Sequence, residues 1–167
     1  MNRFLFIGTL IFLLGAPGCF RYSLKDVSIP PEVKTIRVSY LDNKSTYINP
    51  QLSPQLTDRL RQKINNQTRL TQIQGDDAHY DITGYISGYN FTTAGISDNR
   101  SATNRLTVTV HIKVLNRLDE KKNIEADVSR SFDFDANISI TQAESQLSET
   151  ILKNLSDEIF NRIFSNW

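Results

Sequence analysis

Three stretches of this sequence alternate apolar and polar residues with a period of two, and no other feature restricts the possible folds as strongly. The clearest stretch runs from Leu106 to Val114, and two more occupy residues 79–91 and 124–134. In all three, the main apolar set stands at even-numbered positions. Successive side chains of a β-strand point to opposite faces. The sequence therefore predicts three long strands with one shared apolar face, which needs a cover, and one polar face.

The same parity restricts how the last two of these strands pair. If they form an antiparallel hairpin, paired residue numbers must sum to an even value, because a shift by one residue moves a whole apolar face into water. Pairing of Arg117 with Asn123 satisfies this condition, and we expect it at the end of the hairpin.

Two segments with helical periodicity can cover the apolar face. Residues 56–64 carry an apolar residue at every fourth position, and Ser53-Pro54 before them is typical of a helix N-cap. Residues 147–163 form a longer apolar stripe, and Thr141 to Glu144 fits a capping box. The sequence thus predicts one helix in each half of the chain.

Another alternating segment, residues 33–41, precedes the first helix, and residues 69–73 are an option for a short extra strand. The order is strand, helix, three strands, helix. We expect an α+β fold, a two-layer α/β sandwich with two helices packed on one face of a four-stranded, mostly antiparallel sheet.

The N-terminal segment predicts export and a lipid anchor. Arg3 precedes an apolar run from Phe4 to Leu14, and small residues lead from there to Cys19, the only cysteine. Such a run is too short to span a bilayer and is typical of a secretory signal peptide. We expect a signal peptide at residues 1–18 and a bacterial lipoprotein that carries its acyl chains, such as palmitate, on Cys19. The alternative is an accidental cysteine.

Beyond the leader, we expect a lipidated tether at residues 19–32 and a single α/β sandwich domain at residues 33–167. Pro30-Pro31 favours extended backbone at the end of the tether. The remaining length is enough for one domain with one hydrophobic core.

Charge balance argues against nucleic acid as a partner. The leader contains one basic residue and no acidic one, so 18 Lys and Arg and 18 Asp and Glu remain in the rest of the chain. A general nucleic-acid binder needs a basic excess to neutralise phosphates. A membrane held through acyl chains fits this neutral chain better.

Catalytic and metal-binding patterns are weak in this sequence. His79 and His111 are the only histidines, and neither has metal-ligand spacing. The carboxylates of residues 125–135 share one strand face, where pairing with Lys113 or Arg117 explains them better than acid–base chemistry. We expect no enzyme activity, no catalytic residue, no metal site and no cofactor.

Aromatic residues on the uncovered face predict a partner surface. Tyr85, Tyr89 and Phe91 stand at odd-numbered positions of the first long strand, and Leu115 shares their face on the next. An apolar row on a sheet face without helices is typical of a binding surface. These four residues are the candidates for contact with a large partner.

Three arginines are candidates for contact with an anionic ligand. Arg100 lies in residues 92–103, which we expect to form a long polar hairpin loop, and Arg105 follows it. Arginine binds phosphate through forked donors, although most loop arginines are simply solvated. Alternation places Arg130 on the apolar face, where either a bulge or a strand end would free it, or it is held for an anion.

Several motifs together resemble the LptE family of lipopolysaccharide-assembly lipoproteins, in its Bacteroidetes-type branch. The resemblance begins at Cys19 and covers nearly the whole chain after it. Its motifs, in chain order, are Tyr22, Ser28 to Thr35, Asn49-Pro50, Leu52-Ser53, Asn104 to Val110, Ile159 to Asn161 and Asn166-Trp167.

The resemblance implies two helices on a four-stranded sheet and a role as a plug inside the outer-membrane β-barrel LptD. It also implies help in folding that barrel, binding of lipopolysaccharide, delivery of lipopolysaccharide to the outer leaflet, and no catalytic residue or cofactor. It places the chain at the outer membrane, lipid-anchored, facing the periplasm or inside the barrel lumen. The three arginines are not implied by it and depend on charge and position alone.

From these features we hypothesise that the aromatic face packs on the inner wall of the barrel while the arginines meet lipid phosphates. The alternative is an outer-membrane lipoprotein regulator of a cell-wall synthase, which residues 38–45 also resemble. Such regulators usually have a much longer linker than the tether expected here.

Overall fold

The computed structural model describes residues 29–97 and 100–165. Its elements, in chain order, are β1 (Thr35–Val38), β2 (Asp42–Asn43), α1 (Leu52–Gln67), β3 (Thr71–Gln72), β4 (Tyr80–Ser97), β5 (Arg100–Asn116), the 3₁₀ turn η1 (Glu120–Lys122), β6 (Ile124–Asp135) and α2 (Ile140–Phe164). The strands form one sheet in the order β3-β1-β4-β5-β6, and β2 follows β1 along the same edge of β4. The predicted α+β fold, with two helices on one face of a sheet, is confirmed.

The sheet differs from the expectation in its outer part. It contains six strands rather than four, because the first predicted strand divides into β1 and β2 and the optional strand forms as β3. These three short strands run parallel to their neighbours, whereas β4, β5 and β6 are antiparallel. The sheet is therefore mixed, with a long antiparallel meander as its main part.

The two helices cover the face formed by the even-numbered residues of β5. Leu56, Leu60 and Ile64 of α1 are fully buried, and so are Leu155 and Ile159 of α2. These side chains and the inward residues of the sheet form one hydrophobic core. The predicted stripes are the ones that meet the sheet.

The helices also contact each other through charged side chains. Arg59 pairs with Glu149 at 2.6 Å, and Lys63 pairs with Asp157 at 2.7 Å. The Lys63 ammonium lies 5.1 Å from the centre of the Phe160 ring. These contacts fix the two helices side by side above the core.

Both predicted helix caps are wrong in detail. Helix α1 has Gln51 at its N-cap position, and Ser53 lies in the first turn. Helix α2 is capped by Ser139, whose hydroxyl accepts a hydrogen bond from the Gln142 backbone N–H at 3.2 Å. The side chain of Glu144, which was expected to cap the helix, faces the sheet instead. There its carboxylate accepts hydrogen bonds from tyrosine and asparagine side chains.

Pairing of β5 with β6 confirms the parity expectation. Val114 pairs with Ile124 and Val110 with Val128, so the sum is even and both apolar sets face the helices. The expected pair of Arg117 with Asn123 is wrong, because the connection is longer. Its extra residues form a turn in which the Asn116 side chain accepts hydrogen bonds from two backbone N–H groups.

A β-bulge in β4 overturns one expectation about its faces. Ile86 pairs with Val110, but Gly88 pairs with Thr109, so Ser87 is an extra residue on this strand. A bulge of one residue reverses the alternation beyond it. Up to Ile86 the even residues face the helices, whereas beyond the bulge Tyr89 and Phe91 do.

Most of the expected hairpin loop at residues 92–103 is strand. Thr93 pairs with Asn104, Gly95 with Thr103 and Ser97 with Arg100. The loop expectation is wrong because polar residues on both faces removed the alternation that marks a strand elsewhere. The hairpin of β4 and β5 thus continues as far as Ser97 and Arg100.

The domain includes residues from the stretch expected to be a tether. Ile29 is buried in the core, and the Arg69 guanidinium donates to the carbonyls of Ile29 and Pro30 at 2.9 and 2.7 Å. Cys19, the expected lipid attachment site, lies outside the described residues. Neither helix of the described ranges combines the length and the apolar character that crossing a membrane requires.

Candidate functional site

The sheet face away from the helices, called here the open face, consists mainly of polar cross-strand pairs. In β5 and β6, Thr107 and Ser131 lie 2.9 Å apart between hydroxyl oxygens, and Thr109 and Ser129 lie 3.0 Å apart. Such pairs satisfy hydroxyls while leaving them accessible. The open face is therefore largely hydrophilic and hydrogen-bonded within itself.

A cluster around His111 continues this face. Its Nδ1 lies 2.8 Å from Asp127, and its Nε2 lies 3.4 Å from Glu125. The ring contacts Tyr85, with 5.1 Å between ring centres, and the Lys44 ammonium lies 4.5 Å from the centre of the Tyr85 ring. Glu125 also lies 3.9 Å from Lys113, one of the expected partners, whereas the pairing of Asp127 with His111 was not expected.

Arg105 also lies on the open face and binds a carboxylate. Its guanidinium donates to both oxygens of Asp133, at 2.6 and 2.9 Å. The hydrogen bond raises the pKa of Arg105 and lowers the pKa of Asp133. Because about half of each side chain is exposed to solvent, the ion pair contributes little free energy. Another anion could therefore replace Asp133 at little cost.

A second charged site on the open face was not predicted. Arg37 of β1 donates to both carboxylate oxygens of Asp81, at 2.9 and 2.6 Å, and Asp81 is buried. This hydrogen bond raises the pKa of Arg37. Parallel pairing of β1 with β4 brings the two residues side by side, and nothing in the local sequence specifies that pairing.

Arg130 is explained by a contact that the expectations did not include. It pairs with Val108 across β5 and β6 without a bulge, in the middle of the edge strand. Its side chain reaches over the sheet edge to Glu158 of α2 and remains half exposed. The expectation of a bulge or a strand end is wrong, because an edge strand lets a long side chain leave the apolar face.

The four aromatic and aliphatic candidates divide between the two faces. Tyr85 and Leu115 lie on the open face and are half-buried there. Tyr89 and Phe91 lie beyond the bulge on the helix side, where Tyr89 is only 3% exposed and Phe91 packs on Phe134. The expected aromatic row is therefore wrong. Contact of any of these residues with a partner stays a prediction.

The arginine expected in the hairpin loop, Arg100, begins strand β5. Its side chain lies outside the described part of the structure. Residues 29–97 and 100–165 contain no group of three His, Cys, Asp or Glu side chains that is arranged to hold a metal ion.

Tyr89 belongs to a site that the sequence analysis missed, at the start of both helices. Its hydroxyl donates to Oε1 of Glu144 at 2.8 Å. The Asn49 amide donates to the same oxygen at 3.0 Å, and the Tyr47 hydroxyl donates to Oε2 at 3.3 Å. One carboxylate therefore joins strand β4, the loop before α1, and α2.

The rings of this site form a compact cluster. Tyr47 stacks on Tyr89 with 5.4 Å between ring centres and 17° between planes, and Phe91 meets both rings at steep angles. Burial raises the pKa of Tyr89, and its hydrogen bond to Glu144 adds to that effect. The pKa of Tyr47 is raised for the same two reasons.

A cleft of about 220 Å³ opens beside this cluster. Its wall includes Tyr47, Asn49 and Tyr89 on one side and, on the α2 side, Glu144, Ser145 and Ser148. Most of the lining residues are uncharged and polar, and Glu144 is the only charged one that lines the cleft. The arrangement suits binding and contains no recognisable catalytic constellation.

Comparison with known families and structures gives two results. The family model LptE, lipopolysaccharide-assembly, matches residues 33–163. No curated protein matches the sequence.

Among solved structures, a minor lipoprotein from Acinetobacter baumannii is similar with a TM-score of 0.52 and 15% identity, over 78% of this chain and 92% of that one. A hypothetical protein from Chlamydia trachomatis is similar with a TM-score of 0.52 and 8% identity, over 80% of this chain and 99% of that one. At these identities the likeness concerns the fold alone.

Proposed function

This chain belongs to the LptE family of lipopolysaccharide-assembly proteins, and from that membership we propose that it is an outer-membrane lipoprotein that sits inside the barrel LptD. The family match, which covers almost the whole described domain, is the observation that carries the proposal. There the protein supports assembly of the barrel and delivery of lipopolysaccharide to the outer leaflet. It acts by binding, without a catalytic step or a cofactor.

The polar character of the open face, rather than an aromatic row on it, supports a position inside the barrel lumen. The interior of large outer-membrane barrels is polar. A face made of hydroxyl pairs and ion pairs, such as Thr107 with Ser131 and Arg105 with Asp133, can exchange hydrogen bonds with such a wall. The aromatic residues Tyr89 and Phe91 face the helices instead, so polar rather than aromatic contact with the wall is proposed.

Charge on the open face, at Arg105, and at the edge strand, at Arg130, also suits contact with lipid phosphates. Arg105 and Arg130 hold carboxylates at exposed positions, and exposed pairs exchange readily for another anion. We keep both as proposed phosphate contacts, together with Arg100.

The proposed anchor is tested by changing its cysteine. The Cys19→Ala chain is expected to keep its leader, to lack acyl mass and to leave the membrane fraction. An unchanged mass and an unchanged membrane fraction would overturn the anchor.

The partner is tested by affinity purification from detergent-solubilised membranes. A large barrel protein is expected to be retained with this chain, and depletion of the chain is expected to lower the amount of assembled barrel. Retention of a peptidoglycan synthase instead would favour the cell-wall regulator, which no structural observation supports.

The orientation is tested by placing a photoreactive amino acid at Ser129 on the open face and, as a matched control, at Thr150 on the exposed side of α2. Crosslinks to the barrel are expected to be stronger from position 129. Equal or weaker crosslinks from that position would contradict the assignment of the open face to the barrel wall.

A further inference from the structure

The cleft beside Tyr47 is the feature of the described structure that the proposed function leaves unused. It lies between the loop before α1 and the first turns of α2, at the helix side of the sheet. It is therefore separate from the open face, and the lipid phosphates proposed for Arg105 and Arg130 do not account for it.

The size of the cleft limits its ligand. Pockets for drug-sized ligands usually measure roughly 300–1,000 Å³. At about 220 Å³ this cleft is smaller and suits a single ring with small substituents.

Charge excludes most anions. Among the lining residues, Glu144 is the only charged one, and none is Lys or Arg. A phosphate or carboxylate placed there would meet a negative charge without a compensating cation. The two oxygens of Glu144 accept hydrogen bonds from Tyr89, Asn49 and Tyr47, so the carboxylate positions these neighbours around the cleft.

The remaining groups match an uncharged polyhydroxyl compound. Tyr47 lines the cleft and is 39% exposed as a residue, and Tyr89 stacks on one face of its ring, so the exposed part of Tyr47 gives the cleft an apolar surface that is held in place. Gln51, Gln55, Ser145 and Ser148 line the same cleft and supply amide and hydroxyl groups. A sugar ring has an apolar C–H face and a rim of hydroxyls, which complements this combination.

Preorganisation favours binding further. Glu144 holds Tyr47 and Asn49 from two different directions, and the Tyr89 ring beneath is buried. A ligand would therefore order few side chains on binding, which lowers the cost of association.

We propose that this cleft binds one uncharged sugar residue, with Tyr47 as the stacking platform and the amides and hydroxyls around it as hydrogen-bond partners. This inference deepens the proposed function, on which it rests for the source of the sugar, the glycan part of lipopolysaccharide. It assigns glycan recognition to the cleft at the start of the two helices and leaves lipid phosphates to the open face and the edge strand β6.

The test is saturation-transfer NMR on the full chain in a detergent without a sugar headgroup, since alkyl glycosides would compete. The probes are the methyl glycosides of glucose, galactose and mannose, and glucose 6-phosphate. At least one methyl glycoside is expected to show saturation transfer, and glucose 6-phosphate is expected to bind more weakly than methyl glucoside. No transfer to any glycoside, or tighter binding of the phosphate, would overturn the proposal.

Three variants locate the binding. Tyr47→Ala should weaken it about three- to tenfold, the range of one aromatic contact. Ser145→Phe should fill the cleft and abolish it, and Tyr40→Ala, a similarly exposed tyrosine outside the cleft, should leave it unchanged. Equal binding by Ser145→Phe would place the sugar elsewhere and overturn the proposal.

Dephosphorylated core oligosaccharide from lipopolysaccharide tests the source. It should compete with the glycoside; if it does not, the link to lipopolysaccharide is wrong. Copurification of the barrel with the Ser145→Phe chain, compared with sugar binding by the unchanged chain, separates failure of the sugar site from failure of the proposed function. If the barrel is retained and no glycoside binds even the unchanged chain, the sugar site fails while the proposed function stands. If the unchanged chain binds a glycoside but retains no barrel protein, the sugar site stands while the proposed function fails.

Discussion

The two faces of the sheet are formed by the same strands, but one is buried against the helices and the other carries polar side-chain pairs. On the covered face, β5 places Val108, Val110 and Ile112 fully out of water against two helices. On the open face, the residues between them are threonine and histidine, each paired with a side chain of β6. The difference teaches that stability is concentrated on one face, which leaves the other free to change its contacts when a partner arrives.

The largest expected effect breaks the covered face. Leu155 of α2 is fully buried, and Leu155→Ala should lower the free energy of unfolding by about 2–5 kcal/mol, because it removes buried methyl groups and leaves a cavity. Urea unfolding followed by circular dichroism measures this. Leu118→Ala, at a 48% exposed leucine, is the control and should change little. A loss below about 1 kcal/mol would mean that the core is less tightly packed than described.

A backbone contact beneath the covered face should give the next effect. A Cβ atom at Gly84 would lie 2.4 Å from the carbonyl oxygen of His111 and 3.1 Å from Leu41. Gly84→Ala should therefore cost about 1–3 kcal/mol, because β4 and β5 must move apart. In the control Gly75→Ala, the new atom would meet only the flexible Asp77 side chain. Equal stability of both variants would contradict the close approach of the strands.

The polar contact at the end of the covered face should matter less. Tyr89→Phe removes the hydroxyl that donates to Glu144 and should lower stability by about 1 kcal/mol. Tyr40→Phe, at an exposed tyrosine, is the matched control. Thermal and urea unfolding of the two variants should differ in that direction. No difference would show that the Glu144 contacts do not hold the loop and helix to the sheet.

Alkaline pH tests how much the same Tyr89 hydroxyl contributes to stability. Because the folded state raises the pKa of Tyr89, its stabilising contribution is complete below the unfolded pKa of about 10 and is lost as pH rises above that value. The stability difference between the unchanged chain and Tyr89→Phe should therefore shrink between about pH 10 and 11. Urea titrations across this range measure the slope, and a growing difference would contradict the sign.

The open face should give the smallest effect. Thr109 and Ser129 form one hydroxyl pair, and the coupling energy from their single and double alanine variants should be about 0.2–1 kcal/mol. A larger coupling would break the comparison between the faces, because the open face would then carry stability of its own.

Local pattern was enough for much of this structure. The helical stripes at residues 56–64 and 147–163, the alternation of β5 and β6 and the parity of their pairing all follow from side-chain periodicity, which each segment shows by itself. The outer strands were less predictable, since two-residue strands such as β2 and β3 are too short to show a period.

The candidate site was predicted less well. In β4 the apolar residues change from even to odd positions across Gly88, and this change, with a glycine inside a strand, is the sequence signal of a bulge. No comparable signal marks the cleft. Tyr47, Tyr89 and Glu144 are far apart in the chain, and only folding brings them together.

The sequence by itself determined which faces of β5 and β6 are apolar, how many helices cover them and where the basic and acidic residues stand along each strand. Only the tertiary structure decided that Tyr89 turns away from the open face, that Arg130 meets Glu158 and that three distant segments meet at Glu144. The physical reason is the separation along the chain over which each kind of interaction acts. Periodicity and charge are properties of neighbouring residues, whereas one inserted residue or one edge position changes the partners of everything packed around it.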